Sequence, residues 1–249
     1  MYLNNRRQTK RKNRSASRLS WRISVPHGSD LKHLEQNATI DYRYEIVRKG
    51  IHLFSLSIPT IYFFISRQLA LCLLLPITAA FIGVDIARYY IPPVSRWFYR
   101  WFGWLLRRHE TDVNRKQLNG ASNVLISASL CVLLFPKVIA LNAFTILIIS
   151  DTTSALIGRR FGRHRFLAKS LEGSLAFFIS AVIVILVAPK VSRLPLEYVI
   201  GVIVAAIGAV VEALPIKIDD NLSIPLAVGF SLWWLYLLFL PALDLTLLR

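Results

Sequence analysis

After its first forty residues the chain is dominated by seven apolar runs, at about 50–66, 68–87, 121–136, 138–157, 173–189, 196–214 and 224–247. Runs of this length leave few folds open. A soluble domain would break them with polar faces, whereas a hydrocarbon layer of ~30 Å asks for about 20 apolar residues per helix. Several runs hold fewer, which suits helices whose ends meet protein-lined or watery space. Hydrophobic residues make up 55% of the chain and the mean hydropathy is +0.49, yet the formal charge is +16. That pairing points to a protein in an anionic membrane and away from a nucleic-acid partner. The expected fold is all-α: a polytopic integral membrane bundle of about seven transmembrane helices.

The basic residues set the expected topology. Of 30 Lys and Arg, 25 fall on the side of the N-terminus when the seven runs are threaded through a bilayer. The positive-inside rule then predicts a cytoplasmic N-terminus. Residues 1–40 read as a disordered basic tail that settles on an anionic membrane surface, and residues 41–249 as the membrane-embedded catalytic domain. Between the second and third runs, Trp97, Phe98, Trp101, Trp104 and Leu105 recur at helical spacing among arginines. This spacing predicts an amphipathic helix in the interface over about 94–108. Cys72 and Cys131 stand in apolar runs without metal-ligand spacing and read as packing residues.

Threading also gathers the unusual polar residues at one boundary. Glu45, Arg48, Lys49 and His52 share a helix face at the start of the first run. Asp85 and Arg88 close the second run, Asn119 and Gly120 open the third, and Asp151 closes the fourth. Glu212 closes the sixth, and Asp219, Asp220 and Asn221 lead into the seventh. Each has a plain structural reading: Arg48, Lys49 and Arg88 as snorkelling flanks, Glu45 as a partner of Lys49, and Asp219 to Asn221 as a helix cap. Their convergence on one side is what favours a site, because ionisable groups in membrane spans are costly.

The densest stretch is Ser150 to Ser174. It places Asp151, Gly158, Gly162, four arginines, Lys169, Ser170, Glu172 and Gly173 between two apolar runs. Carboxylates can hold Mg²⁺ on phosphate oxygens, and lysines and arginines neutralise developing charge. Glycines at a helix start let backbone N–H groups approach phosphate. The chemistry that fits is phosphoryl transfer, without a Walker or protein-kinase motif.

These stretches together resemble the CTP-dependent membrane lipid kinases: dolichol kinase, phytol kinase and the CTP-dependent diacylglycerol kinase. Those that carry the likeness are Glu45-x-x-Arg48-Lys49-x-x-His52, DIAR from Asp85, RRHETDVNRKQLNGAS from Arg107, SDTTSALIGRRFGRHRF from Ser150, AKSLEGS from Ala168 and EALPIKIDDNLSIP from Glu212. The resemblance implies CTP as phosphoryl donor and a membrane lipid alcohol, diacylglycerol foremost, as acceptor. It implies that activity depends on Arg48, Lys49, Asp151 and Gly158, with Lys169 in the nucleotide loop of about 150–174. The roles expected on this basis are Mg²⁺ or another divalent cation on Asp151 and Asp219 or Asp220. Asp85 is the third metal candidate, and Asp85 or Glu212 would orient the acceptor hydroxyl. Arg48, Lys49 and Lys169 would clamp the triphosphate, with Gly158, Gly162 and Gly173 giving backbone approach. The membrane would be a bacterial inner membrane or the endoplasmic reticulum, with the site on its cytoplasmic face. A CTP-using phosphatidate cytidylyltransferase is the alternative reading, and a small membrane transporter the second.

Overall fold

The computed structural model describes residues 46–103 and 117–245, which together make one compact unit. The basic tail, Glu45, and the part of the expected interfacial helix beyond Gly103 lie outside the described residues.

The described chain is helical apart from one tiny hairpin, as the apolar runs require. Residues 46–54 form α1, followed by α2 (Ser57–Phe64), α3 (Arg67–Tyr90), α4 (Pro92–Phe102), α5 (Gly120–Leu134) and α6 (Lys137–Phe161). Two short antiparallel strands come next, β1 (Arg165–Phe166) and β2 (Lys169–Ser170). The chain continues with α7 (Leu171–Val187), α8 (Pro195–Ala213) and α9 (Asp220–Phe239). Helices α3, α6, α8 and α9 are long and apolar enough to cross a membrane, and α5 and α7 are shorter apolar helices. This is an all-α membrane protein.

Local chemistry explains where the helices depart from the expected runs. The first run is broken: Pro59 has no N–H to continue a helix from residue 55, and the chain turns there through Ser55 N–H to His52 C=O and Leu56 N–H to Leu53 C=O. The last helix starts earlier than expected because Asp219 caps it, accepting from Asn221 N–H at 2.9 Å. Helix α4 likewise starts two residues early, since Pro92 and Pro93 fit a first helical turn. Its Trp97 and Trp101 are exposed while Phe98 is buried under it.

Helix α6 is the central post. It packs on α7, α9, α5 and α2, and 78% of its apolar window is buried, against 17% for α3 at the periphery. Its core side chains include Phe144, Leu147 and Ile148, which meet Phe177 and Ile185 of α7 and Val204 of α8 in one cluster. Polar ties close the bundle at both ends. At one end Lys137 donates to the carbonyls of Phe63 and Ile65, and Asn142 donates to Pro189 C=O. At the other, Lys49 of α1 reaches Asp151 of α6, Asp85 of α3 accepts from Asn119 N–H, and Ala168 N–H donates to Ala213 C=O. This second end carries the residues that sequence singles out.

Candidate active site

At that end, the starts of α7 and α9 meet the finishes of α6 and α8, with Lys49 of α1 beside them. Helix α7 begins at Ser170, whose hydroxyl accepts from Gly173 N–H at 3.2 Å. It crosses the last turns of α6 so closely that side chains are excluded. A Cβ on Gly158 would lie 2.9 Å from Ser170 Oγ and 3.3 Å from Gly173 Cα, and one on Gly173 would lie 3.2 Å from Ser154 C=O. The glycines are thus present for helix approach, and that approach brings Ser170 and the start of α7 to the side of Asp151.

The result is a cavity of about 500 Å³ lined by Lys49, Asp151, Lys169, Glu212 and Asp220, with Arg48 and Arg159 alongside. Ser154, Ala155, Gly158, Ser170 and Gly173 complete the wall. Lys49 ion-pairs with Asp151, and its ammonium also lies 3.3 Å from the Asp151 carbonyl. His52 Nε2 stands 3.7 Å from the same carboxylate. Across the cavity, Lys169 Nζ is shared by Glu212 Oε1 at 2.7 Å and Asp220 Oδ2 at 2.9 Å. Burial disfavours the charge of Lys169, but Asp220 and Glu212 outweigh it and hold its ammonium above the ordinary lysine range. Glu212 is buried; Oε1 also accepts from Ser154 Oγ at 2.8 Å, while Oε2 is buried with no hydrogen-bond partner.

Such an arrangement can bind polyanions. It offers two lysines, two arginines and the positive end of α7 within one space. Glu212 and Asp220 meet on one lysine, and Glu212 Oε2 is a buried acceptor with no hydrogen-bond partner. Among the described residues no three His, Cys, Asp or Glu side chains are grouped tightly enough to hold a metal by themselves. A divalent cation here would have Glu212 and Asp220 as its two neighbouring carboxylates and would take its remaining oxygens from water or a ligand.

The other expected site residues are placed apart from the cavity. Asp85 is fully buried and pairs with Arg88 Nε at 2.8 Å and with Asn119 N–H at 2.6 Å. Asn119 caps α5, accepting from Ser122 N–H at 2.9 Å, and Gly120 is the first residue of that helix. Arg88 also donates to Gln117 C=O and lies 4.7 Å from the centroid of the Phe98 ring. This cluster joins α3, α4 and α5. Asp219 and Asn221 bond each other at the start of α9. Glu172 turns back to the hairpin, accepting from His164 N–H and facing His164 Nδ1 at 2.8 Å. Gly162 packs against Ser170 without lining the cavity. Ser154 was not singled out in the sequence, although it stands one helical turn from both Asp151 and Gly158 and so shares their face.

Fold and site define the class: an integral membrane protein with a lysine–carboxylate cavity at one end of its bundle. Against proteins of known sequence, the chain is 31% identical over 169 residues to CTP-dependent diacylglycerol kinase 1 of Schizosaccharomyces pombe, covering 62% of this chain and 75% of that protein. It is 32% identical over 196 residues to an uncharacterized protein of Rickettsia prowazekii, covering 78% of this chain and 95% of the relative. An uncharacterized protein of Methanocaldococcus jannaschii is also 32% identical over 196 residues, 75% of this chain and 91% of its own. No family model and no solved structure matches. The chain belongs to the family of the CTP-dependent diacylglycerol kinase.

Proposed function

We propose that this protein is a lipid kinase that moves the terminal phosphate of CTP to the hydroxyl of a membrane alcohol, diacylglycerol foremost. The observation that carries the reading is the cavity itself. Lys49 and Lys169 are each held by carboxylates in one space at the end of a membrane bundle, where a water-soluble triphosphate and a lipid headgroup can meet. Kinship with the yeast kinase supports both donor and acceptor.

In this reading, Glu212 and Asp220 would hold Mg²⁺, with Asp151 facing them across the cavity. Bound there, the cation would offset the charge of the β- and γ-phosphates. Lys169 would reach the phosphates from beside the two acids, and Lys49 and Arg48 would bind them from the α1 side. Asp151 keeps the Lys49 ammonium in place. The lipid oxygen attacks the γ-phosphorus, the bond from that phosphorus to the β–γ bridging oxygen breaks, and CDP leaves. The hydroxyl proton passes to a cavity carboxylate. The site lies on the cytoplasmic face, the side that the basic residues favour.

Purified protein in micelles, given γ-labelled CTP or ATP with diacylglycerol, a polyprenol, phytol or phosphatidate, tests the assignment. Label in diacylglycerol from CTP is the expected result. Label released as pyrophosphate with phosphatidate as substrate would make the protein a cytidylyltransferase instead. No transfer from either nucleotide would overturn the reading.

A further inference from the structure

Outside the cavity, the least explained part of the molecule is its mouth. The segment from the end of α6 to the start of α7 and the loop from α8 to α9 are stitched together by the bond from Ala168 N–H to Ala213 C=O. Both are loops between helices, where polar side chains are the norm. Here they show solvent large apolar groups instead. Phe161 is 58% exposed, Leu167 54% and Ile218 57%, with Ile216 and Leu214 also open. Basic side chains alternate with them: Arg160, Arg163 and Arg165 on the first segment and Lys217 on the second are all exposed.

Leu167 adds an independent observation. It occupies the two-residue turn between β1 and β2 with φ 53°, the left-handed region. Glycine or asparagine takes that conformation readily, while a leucine there is strained and uncommon. A leucine at this tip leaves more than half of its surface open to solvent. Its side chain is useful only if something apolar receives it.

The depth of the hairpin says what that is. Helix α7 has 17 residues, or about 26 Å, slightly less than a hydrocarbon layer of ~30 Å. It begins at Leu171, immediately after β2. If α7 crosses the layer, the hairpin beside it lies at headgroup depth. Apolar side chains with interspersed arginine and lysine are the composition that enters an anionic interface.

We propose that the segment from Phe161, the last residue of α6, to Leu167 at the hairpin tip forms a membrane-dipping rim with the 214–218 loop. Leu167, Phe161 and Ile218 enter the anionic leaflet of the bilayer that the helices cross, and Arg163, Arg165 and Lys217 pair with its phosphates. This surface is separate from the phosphate-facing groups of the cavity. It sets the cavity mouth against the leaflet rather than in open water.

The test does not depend on turnover. Full-length protein with Cys72→Ser and Leu167→Cys, carrying an environment-sensitive fluorophore on the new thiol, is placed in lipid nanodiscs. One set is phosphatidylcholine alone, the other equal parts phosphatidylcholine and phosphatidylglycerol. In the anionic discs the emission should shift to the blue, and nitroxide on lipid chains should quench it more strongly than a water-soluble nitroxide. Stronger aqueous quenching in both discs would overturn the proposal. A second arm uses Leu167→Asn, which suits the left-handed turn. Its melting temperature should match or exceed the parent, while trypsin cleavage at Arg163 and Arg165 in anionic discs should quicken severalfold, about fivefold if the equivalent of one basic contact is lost. A lowered melting temperature with unchanged cleavage would make Leu167 a structural residue and sink the rim.

Discussion

Two groups of buried acids and bases stand at the same end of this bundle, and only one makes a cavity. Around Asp85, acid and base answer each other: Arg88 and the Asn119 N–H on the acid, Gln117 C=O and the Phe98 ring on the base, with Arg88 Nη1 alone making no hydrogen bond. Asp85 and Arg88 are shut away from solvent. Around Asp151, Glu212 and Asp220, the lysines are shared between helices, Glu212 Oε2 has no partner, and the whole faces open space. A buried charge pair that closes on itself specifies how helices meet. A pair that stays open to a cavity can exchange its partner for a ligand.

The most severe way to test that contrast is to remove one acid from each group. Asp151→Asn leaves Lys49 without its counter-charge at the cavity wall, and phosphoryl transfer in detergent should fall by at least about 100-fold, the scale of losing a preorganised charge contact. Its melting temperature should fall as well, since Lys49 and Asp151 are buried at 5% and 7% exposure, so turnover per folded molecule is the deciding readout. Asp85→Asn should cost stability without that loss of turnover. Breaking a closed buried pair costs about 3–5 kcal/mol, so the yield of folded protein and its melting temperature should drop, with turnover per folded molecule largely kept. If Asp85→Asn abolished turnover in fully folded protein, the division drawn here would collapse.

Glu212→Gln and Asp220→Asn sharpen the cavity side. Both remove a partner of Lys169 and a proposed Mg²⁺ ligand. We expect the Mg²⁺ concentration for half-maximal rate to rise by about tenfold in each, the loss seen when a supporting ligand interaction is removed. A rate decrease with no change in Mg²⁺ dependence would confine both acids to positioning Lys169.

How much of this contrast is readable from the chain alone follows from the same residues. The helices are legible because hydrocarbon tolerates little else, and α5, α6, α7 and α8 fall close to their apolar runs. Lys49, Asp151, Lys169 and Gly173 are legible as a group because polar residues at the ends of apolar helices are expensive. The division of labour among the acids is not. Asp219 and Asp220 are neighbours with the same chemistry, yet one caps α9 and the other reaches Lys169, a difference set by which way the helix starts. Asp85 looks as functional as Asp151 in sequence. Its closure depends on Asn119, 34 residues away.

The glycines divide in the same manner. Gly158 lies where α6 meets α7 at the cavity, while Gly229 of α9 abuts the Phe135 ring in the core. Gly229→Ala overpacks that contact and should cost about 1–3 kcal/mol, read as a lower melting temperature at normal KM. Gly158→Ala pushes on Ser170 and the start of α7, so its main effect should be a rise in KM for CTP. Equal effects on KM from both would mean the crossing has no special connection to the nucleotide.

The smallest effect belongs to the far end, where Lys190 and Glu197 form another closed group. Glu197 accepts from the N–H groups of Val191, Ser192 and Leu194, and Lys190 donates to Ile185 C=O and Ala188 C=O at the end of α7. Burial pushes the Lys190 ammonium down to about 8, against the pull of Glu197. A lysine with a depressed value in the fold gives up its proton there sooner than in the unfolded chain. Between about pH 8 and the ordinary lysine value near 10.5, the unfolded chain binds more protons, so stability should rise with pH across that window. Amide exchange at residues 188–194, corrected for its intrinsic pH dependence, should show protection growing from pH 8 to 10. The cavity end has no such trend to offer, because Lys169 is held charged throughout by Asp220 and Glu212. Protection that fell with pH in the 188–194 loop would mean that the ammonium form holds the turn, and that this end also depends on an intact charge pair.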